Sequence, residues 1–263
     1  MKNRRFSIIT VNRNNADALR RTVDSVCSQT FKEYEYIIID GASTDNSLDV
    51  INEYEEYIDY FVSEPDRGIY NAMNKAVRAA TGEYVLFMNA GDVFASVNVL
   101  SEIDFMNPCT DFIFGATIYN KGRASMKIVL PERLSFFFFF TEGVCHQSAF
   151  IRRSLFAELG EYDETVKITA DWQFFILALA KAKKSYVTLP LPVSIYDMTG
   201  YSSQKESEVI IETEKTQFLK TQFPFFYIDY CKYVKLRHRF YYDIMNRLRW
   251  KLFYNIPFLF RQK

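Results

Sequence analysis

Short apolar runs alternate with segments of helical periodicity along residues 6–92. The apolar runs predict four strands, over residues 6–11, 36–39, 60–62 and 84–88. Between them, apolar side chains at helical spacing predict one helix through Leu19, Val23 and Val26 and two more over 48–57 and 69–80. This alternation predicts right-handed βαβ units. The expected fold is therefore α/β, with a mixed, mostly parallel sheet flanked by helices.

A polar cluster follows each predicted strand. The four clusters are Asn12-Arg13, Asp40 to Ser43, Asp66 to Gly68, and Asn89 to Asp92. Ligands of open α/β sheets bind at the carboxyl ends of the strands, so the clusters predict one shared binding site. The alternative is that they are ordinary polar turns, which follow strands in any α/β protein. The three Asp and two Arg among them favour the binding site.

Two common phosphate-binding motifs are missing. Residues 11–15, after the first strand, contain no glycine, which excludes a dinucleotide fingerprint, and no G-x-x-x-x-G-K-[ST] string occurs. The remaining possibility is a nucleotide site of carboxylates and amides, with the phosphate charge met by a cation. Asp92 is suitably placed to hold a divalent metal. It could equally be an N-terminal Asp ahead of the segment 97–104.

Four strings in a fixed order resemble one family. They are S-I-I-T-V-N (7–12), I-I-I-D-G-A-S-T-D-N (37–46), E-P-D-R-G-I-Y-N-A-M-N (64–74) and G-E-Y-V-L-F-M-N-A-G-D (82–92). Together they resemble the inverting family-2 glycosyltransferases of the GT-A fold, of the type that assembles bacterial polysaccharides. The resemblance covers about residues 6–200.

The resemblance implies roles for individual residues. Thr10 and Asn12 would border the base and ribose, Asp40 would contact the uracil of a uridine diphosphate donor, and Arg67 would lie near the base or diphosphate. Further donor contacts would come from Ser43, Asp66, Asn89 and Gly91. Residues 89–92 stand in place of the D-x-D metal motif, with Asp92 as its terminal ligand for Mn²⁺ or Mg²⁺. The first acid of that motif is replaced by Asn89 or Gly91, and His146 is a candidate additional ligand.

Inverting sugar transfer needs a general base to take the proton of the acceptor hydroxyl. Asp171 lies in T-A-D-W-Q-F-F (169–175), at the start of a predicted apolar helix. The family places its base in an acid-D-W motif after G-x-[FY]-D-E. Here G-E-Y-D-E (160–164) precedes Ala170-Asp171-Trp172, so the resemblance makes Asp171 the base. The alternative is a carboxylate that only stabilises a helix N-terminus.

Five consecutive phenylalanines, Phe136 to Phe140, cannot all face one core. They predict either a buried helix or an exposed apolar wall near His146 that receives a lipid-linked acceptor.

Charge divides the chain near Pro224. The whole chain has 32 basic and 32 acidic residues, which argues against a nucleic-acid partner, but residues 225–263 carry nine Lys/Arg and only two Asp/Glu. We therefore predict a glycosyltransferase domain over 1–224, with a nucleotide-binding half (1–92) and an acceptor half (93–224), and a basic aromatic helical tail over 225–263. A stripe from Leu236 to Leu252 predicts that the tail either lies on an anionic membrane or packs back on the domain.

The start of the chain lacks the features of a signal peptide, and no apolar run reaches the ~20 residues of a membrane span. The expected location is cytoplasmic, with peripheral contact at the inner face of the membrane. The expected reaction moves a hexose or N-acetylhexosamine from a UDP-sugar to a saccharide hydroxyl on a polyprenyl-diphosphate-linked acceptor. The alternative is a non-catalytic nucleotide-sugar-binding or scaffolding protein of the same fold.

Overall fold

The computed structural model describes residues 4–121, 124–200 and 203–236. The chain divides into two compact units, residues 1–215 and 216–263. In the second unit, the described residues 224–236 are helical. The predicted boundary near Pro224 stays a prediction.

The first unit is built on one mixed sheet. Its strands in the described residues are β1 (Phe6–Asn12), β2 (Tyr34–Asp40), β3 (Tyr60–Ser63), β4 (Tyr84–Phe87), β5 (Val93–Phe94), β6 (Phe112–Lys121), β7 (Ala124–Ile128), β8 (Ala149–Arg152) and β9 (Tyr186–Tyr196). The order is β3-β2-β1-β4-β8-β6-β9-β5, and β7 pairs with β6. The α/β class and the mixed sheet are confirmed. Strands β1 to β4 pair in parallel, whereas β8 runs antiparallel to both β4 and β6.

The helices are α1 (Ala16–Cys27), α2 (Ser47–Glu53), α3 (Ile69–Ala79), α4 (Val99–Met106), α5 (Phe136–Thr141), α6 (Ser154–Leu159), α7 (Ala170–Ile176) and α8 (Ser207–Gln222). The predicted helix over 48–57 ends early, because a separate 3₁₀ turn forms over Glu55–Tyr57. The other helices predicted in the first 92 residues are confirmed within a few residues.

The hydrophobic core contains the strands that the apolar runs in the first half of the chain predict. Every residue of β1 and all but the first of β2 are buried, as expected for parallel strands covered on both faces. Strand β3 is an edge strand, and Tyr60 and Phe61 remain exposed there.

The phenylalanine run forms α5, and it fits neither alternative in full. Phe139 is buried, while the other four side chains are half-buried. A helix spreads consecutive side chains around its axis, so only one of the five reaches the interior.

The apolar stripe from Leu236 to Leu252, on which the membrane prediction rests, lies outside the described residues except for Leu236. In the part of the chain that the structure describes, no helix is long and apolar enough to cross a membrane.

Candidate functional site

A cleft of about 870 Å³ opens where β1, β3 and β4 end. Tyr119 of β6 and residues from the second half of the chain form its other wall. Seven of the predicted site residues line it: Asn12, Asp66, Arg67, Asn89, Asp92, His146 and Asp171. The structure therefore brings residues from both halves of the sequence into one site at the predicted edge of the sheet.

The other four predicted residues, Thr10, Asp40, Ser43 and Gly91, do not belong to the cleft lining. Thr10 is fully buried in β1, and its Oγ1 donates to the Met88 carbonyl at 2.8 Å. Gly91 has φ +111°, and a Cβ there would lie 2.6 Å from Asp197 Oδ2. We interpret these four residues as supports for the residues that line the cleft. Their contacts with a donor stay predictions.

Asp40 is the centre of a buried hydrogen-bond network at the end of β2. It accepts from Asn12 Nδ2 at 2.9 Å, from the Ser43 amide at 2.8 Å and from Ser63 Oγ at 2.7 Å, and the Ser43 hydroxyl also donates to it. Burial alone would raise the pKa of this carboxyl, but the hydrogen bonds outweigh it and hold the pKa below its usual value. Asp40 is thus an anion with its acceptor positions largely filled.

Three buried acceptor oxygens on the cleft-lining residues have no hydrogen-bond partner. They are Asn12 Oδ1, Asp66 Oδ1 and Asn89 Oδ1. Asp66 comes close to the backbone because residue 41 is glycine: a Cβ there would lie 2.5 Å from Asp66 Oδ2. Burial is the main cause that raises the pKa of Asp66, although Lys75 and Arg13 oppose it. Buried oxygens without partners are uncommon in folded proteins, so each of the three needs an N–H or O–H donor that the described residues do not supply.

At the opposite wall, Asp171 is held by two side chains from distant parts of the sequence. Tyr70 donates to its Oδ1 at 2.9 Å, and His146 Nδ1 lies 2.7 Å from its Oδ2. On the far side of the imidazole, His146 Nε2 lies 3.1 Å from Asn89 Nδ2. With the amide in this orientation, Nε2 accepts and the proton on Nδ1 is donated to Asp171.

Asp171 and His146 shift each other's protonation. Burial raises the pKa of Asp171, but the hydrogen bonds from His146 and Tyr70 outweigh it and hold that pKa below the usual value. Burial lowers the pKa of His146, and the interaction with Asp171 more than reverses this. The side chain of Asp171 is 14% exposed. The cleft therefore contains an ionised, oriented carboxylate that a ligand can reach.

With this geometry established, similarity to known proteins identifies the family. Residues 7–160 match the family model "Glycosyl transferase family 2". The chain belongs to glycosyl transferase family 2. An uncharacterised glycosyltransferase of Mycobacterium tuberculosis is 30% identical over 225 residues, covering 83% of this chain and 85% of the relative. A PGL/p-HBAD biosynthesis glycosyltransferase of Mycobacterium bovis is 32% identical over 178 residues, 65% of this chain and 68% of the relative.

Solved structures agree on the fold. S. aureus TarS 1-349 in complex with UDP-GlcNAc superposes with a TM-score of 0.61 at 19% identity, over 82% of this chain and 71% of that one. The mannosyltransferase PcManGT of Pyrobaculum calidifontis, in complex with GDP-Man and Mn²⁺, gives a TM-score of 0.61 at 19% identity, over 83% and 64%. The resemblance to this family that the four sequence strings indicated is confirmed.

The family-2 resemblance predicts a divalent cation beside Asp92, and this stays a prediction. Asp92 Oδ1 accepts from the Asp197 amide at 2.9 Å and Oδ2 from Gln147 Nε2 at 3.0 Å, and burial raises its pKa to about 6. In residues 4–121, 124–200 and 203–236, no three His, Cys, Asp or Glu are grouped to hold a metal. Each carboxylate oxygen of Asp92 keeps a further lone pair, and Asn89 Oδ1 has no hydrogen-bond partner. The residues fit a cation held mainly by the ligand's phosphates.

Several residues around the cleft carry no role predicted from the sequence. Tyr70 lies inside the third of the four family strings, and Gln147 lies next to His146. Asp197 follows β9 as the other polar clusters follow their strands, so the same rule would have found it. Glu164, the last residue of the G-E-Y-D-E string, pairs with Arg67 at 2.7 Å.

Proposed function

We propose that this family-2 member is an inverting transferase that moves a hexose or N-acetylhexosamine from a UDP-sugar to a saccharide hydroxyl. The observation that carries the proposal is the placement of Asp171 in the same cleft as the three unpartnered acceptor oxygens. One wall then binds the donor, and the other presents a base to the acceptor.

Asp171 suits the role of general base. Its carboxylate is ionised and oriented by Tyr70 and His146, and it is open to the cleft. It would take the proton of the acceptor hydroxyl as the oxygen attacks the anomeric carbon and the nucleoside diphosphate leaves. Attack from the face opposite the leaving group inverts the anomeric configuration.

The donor wall suits a nucleoside diphosphate. Asp66 Oδ1 and Asn12 Oδ1 can accept from the N–H of a base and the hydroxyls of a ribose. Arg13, Arg67 and Lys167 line the cleft and supply positive charge for the diphosphate. The TarS complex, which contains UDP-GlcNAc, supports a uridine nucleotide.

We include Mn²⁺ or Mg²⁺ in the proposal, held by Asp92 with Asn89 or His146. Bound there, the cation would neutralise charge on the leaving diphosphate. The support is the fit of these side chains and the Mn²⁺ that accompanies GDP-Man in the PcManGT complex.

The acceptor half of the cleft suits a saccharide. Tyr119 and Tyr196 line the cleft and pack edge to face with ring centroids 5.4 Å apart, so they add aromatic surface to the cleft for the proposed acceptor. We also propose that a polyprenyl diphosphate carries the acceptor, that the protein is cytoplasmic, and that residues 225–263 contact an anionic membrane. These proposals rest on the phenylalanine run and on the charge of that segment.

The test is transfer by Asp171→Asn, with Asp49→Asn, an exposed carboxylate on α2, as the matched control. We expect Asp171→Asn to lose about 10²- to 10⁴-fold in kcat, the range typical of general-base catalysis. UDP, with and without Mn²⁺, should still raise its Tm as in the wild type. Wild-type transfer by Asp171→Asn would refute the base. If the wild type binds UDP but transfers no sugar to any saccharide acceptor, the scaffolding alternative is favoured.

A further inference from the structure

Helix α8 reaches the segment that carries Asp171 through one carboxylate. Glu214 Oε1 accepts from the Lys167 amide at 2.8 Å, and Oε2 accepts from the Ile168 amide at 3.2 Å, the Thr169 amide at 3.1 Å and Thr169 Oγ1 at 2.9 Å. Four donors from three consecutive residues therefore converge on a single side chain. Thr169 is 3% exposed and stands two residues before Asp171.

The same segment is fixed on its cleft side. The Tyr70 hydroxyl hydrogen-bonds to the Ile168 carbonyl as well as to Asp171. Glu214 thus holds residues 167–169 through their backbone amides, and Tyr70 holds the same segment through the Ile168 carbonyl. Lys167 and Ile168 also line the cleft, so movement of this segment would move both the base and part of the wall.

The neighbouring Lys215 fixes the residue after Asp171. Its Nζ donates to the Glu142 carbonyl at 3.0 Å and lies 4.8 Å from the ring centroid of Trp172. Trp172 Nε1 donates to the Phe139 carbonyl at 3.1 Å. A Cβ on Gly143 would lie 3.0 Å from Trp172 Cδ1, so the indole is enclosed on that face too. Two adjacent α8 residues therefore hold the chain on both sides of Asp171.

We propose that Glu214 is a positioning residue for Asp171: it fixes segment 167–169 and thereby the direction in which the carboxylate faces the acceptor hydroxyl. The inference rests on the proposed role of Asp171 as base. A displacement of about 1 Å can cost 10²-fold in rate, so the contact should matter to kcat although Glu214 touches no substrate.

The test compares Glu214→Gln with Glu212→Gln, which changes an exposed acid on the same helix. Gln turns one acceptor oxygen into an amide donor that faces backbone N–H groups. We expect Glu214→Gln to lower kcat about 10- to 100-fold with the donor KM within twofold of wild type. Glu214→Asp, which keeps the charge, should recover part of the loss. Rates are divided by the concentration of UDP-binding sites, so that unfolded protein does not count.

The same assay includes Asp171→Asn and the double variant Asp171→Asn/Glu214→Gln. If Glu214 acts through Asp171, the second substitution should add less than twofold to the loss already caused by the first. A wild-type kcat for Glu214→Gln, an equal loss in Glu212→Gln, or a change in donor KM alone would overturn the inference. Wild-type transfer by Asp171→Asn would instead overturn the proposed function, whatever Glu214→Gln does.

Discussion

Asp40 and Asp171 are two carboxylates with lowered pKa values, one buried and one half-buried, and they lie in different halves of the first unit. The partners of Asp40 are Asn12, Ser43 and Ser63, all from the first 63 residues, and they leave it outside the cleft lining. The partners of Asp171, Tyr70 and His146, lie 101 and 25 residues away along the chain, and the carboxylate opens into the cleft.

A lowered pKa does not by itself identify a catalytic base. Both carboxylates are held ionised by hydrogen bonds that outweigh burial, but of the two only Asp171 lines the cleft. The network of Asp40 closes on itself and makes one wall rigid. The network of Asp171 depends on long-range packing between the two halves, so its failure should affect catalysis before stability.

The largest effect that tests this contrast is expected for Asp40→Asn. The substitution removes a charge that accepts from Ser43 and Ser63, and it points an amide donor at one of these donors. Hydrogen bonds to charged groups contribute about 1.5–3 kcal/mol each, and a buried donor left without an acceptor costs about 1–3 kcal/mol. We expect the free energy of unfolding to fall by about 3 kcal/mol at pH 7, measured by urea denaturation.

The pH dependence gives the control for Asp40→Asn. The folded pKa of Asp40 lies below its unfolded value, so its stabilisation is complete above the unfolded pKa and is lost as pH falls through the folded pKa. The difference between wild type and variant should therefore be full at pH 7 and shrink under acid conditions. A difference that is independent of pH down to acid unfolding would show that charge is not what the network requires.

Features that depend on neighbouring residues could be predicted from the sequence, whereas contacts between distant residues could not. Strand β1, strand β2 and the polar residues after them follow from local apolar runs, and the donor wall follows from those strand ends. Tyr70 and His146 could be found near motifs, but their meeting at Asp171 depends on how β8 and α7 pack, which no local pattern encodes. Glu214 lies on a polar helix without a distinguishing motif, so only the fold reveals its contact with segment 167–169.

A smaller and mainly catalytic effect is expected for Tyr70→Phe. The ring remains to fill its buried position, while the hydroxyl that contacts Asp171 and the Ile168 carbonyl is lost. We expect kcat to fall about tenfold and the free energy of unfolding to fall by about 1 kcal/mol. Tyr57→Phe, at a tyrosine that is 55% exposed, is the control and should leave both quantities unchanged. A stability loss as large as that of Asp40→Asn would show that the two networks do not differ in kind.

The smallest effect is expected for Arg67→Ala, where the two halves meet at the surface. The Arg67 side chain is 80% exposed, although its guanidinium lies 2.7 Å from Glu164. Exposed ion pairs contribute little, so we expect the free energy of unfolding to change by less than about 1 kcal/mol.

If Arg67 meets the donor diphosphate, the donor KM should rise about threefold to tenfold with kcat nearly unchanged, since binding rather than proton transfer is affected. Arg20→Ala is the matched control, because Arg20 forms an exposed pair with Glu53 and does not belong to the cleft lining. An equal KM for both variants would show that Arg67 does not meet the diphosphate and only joins the two walls.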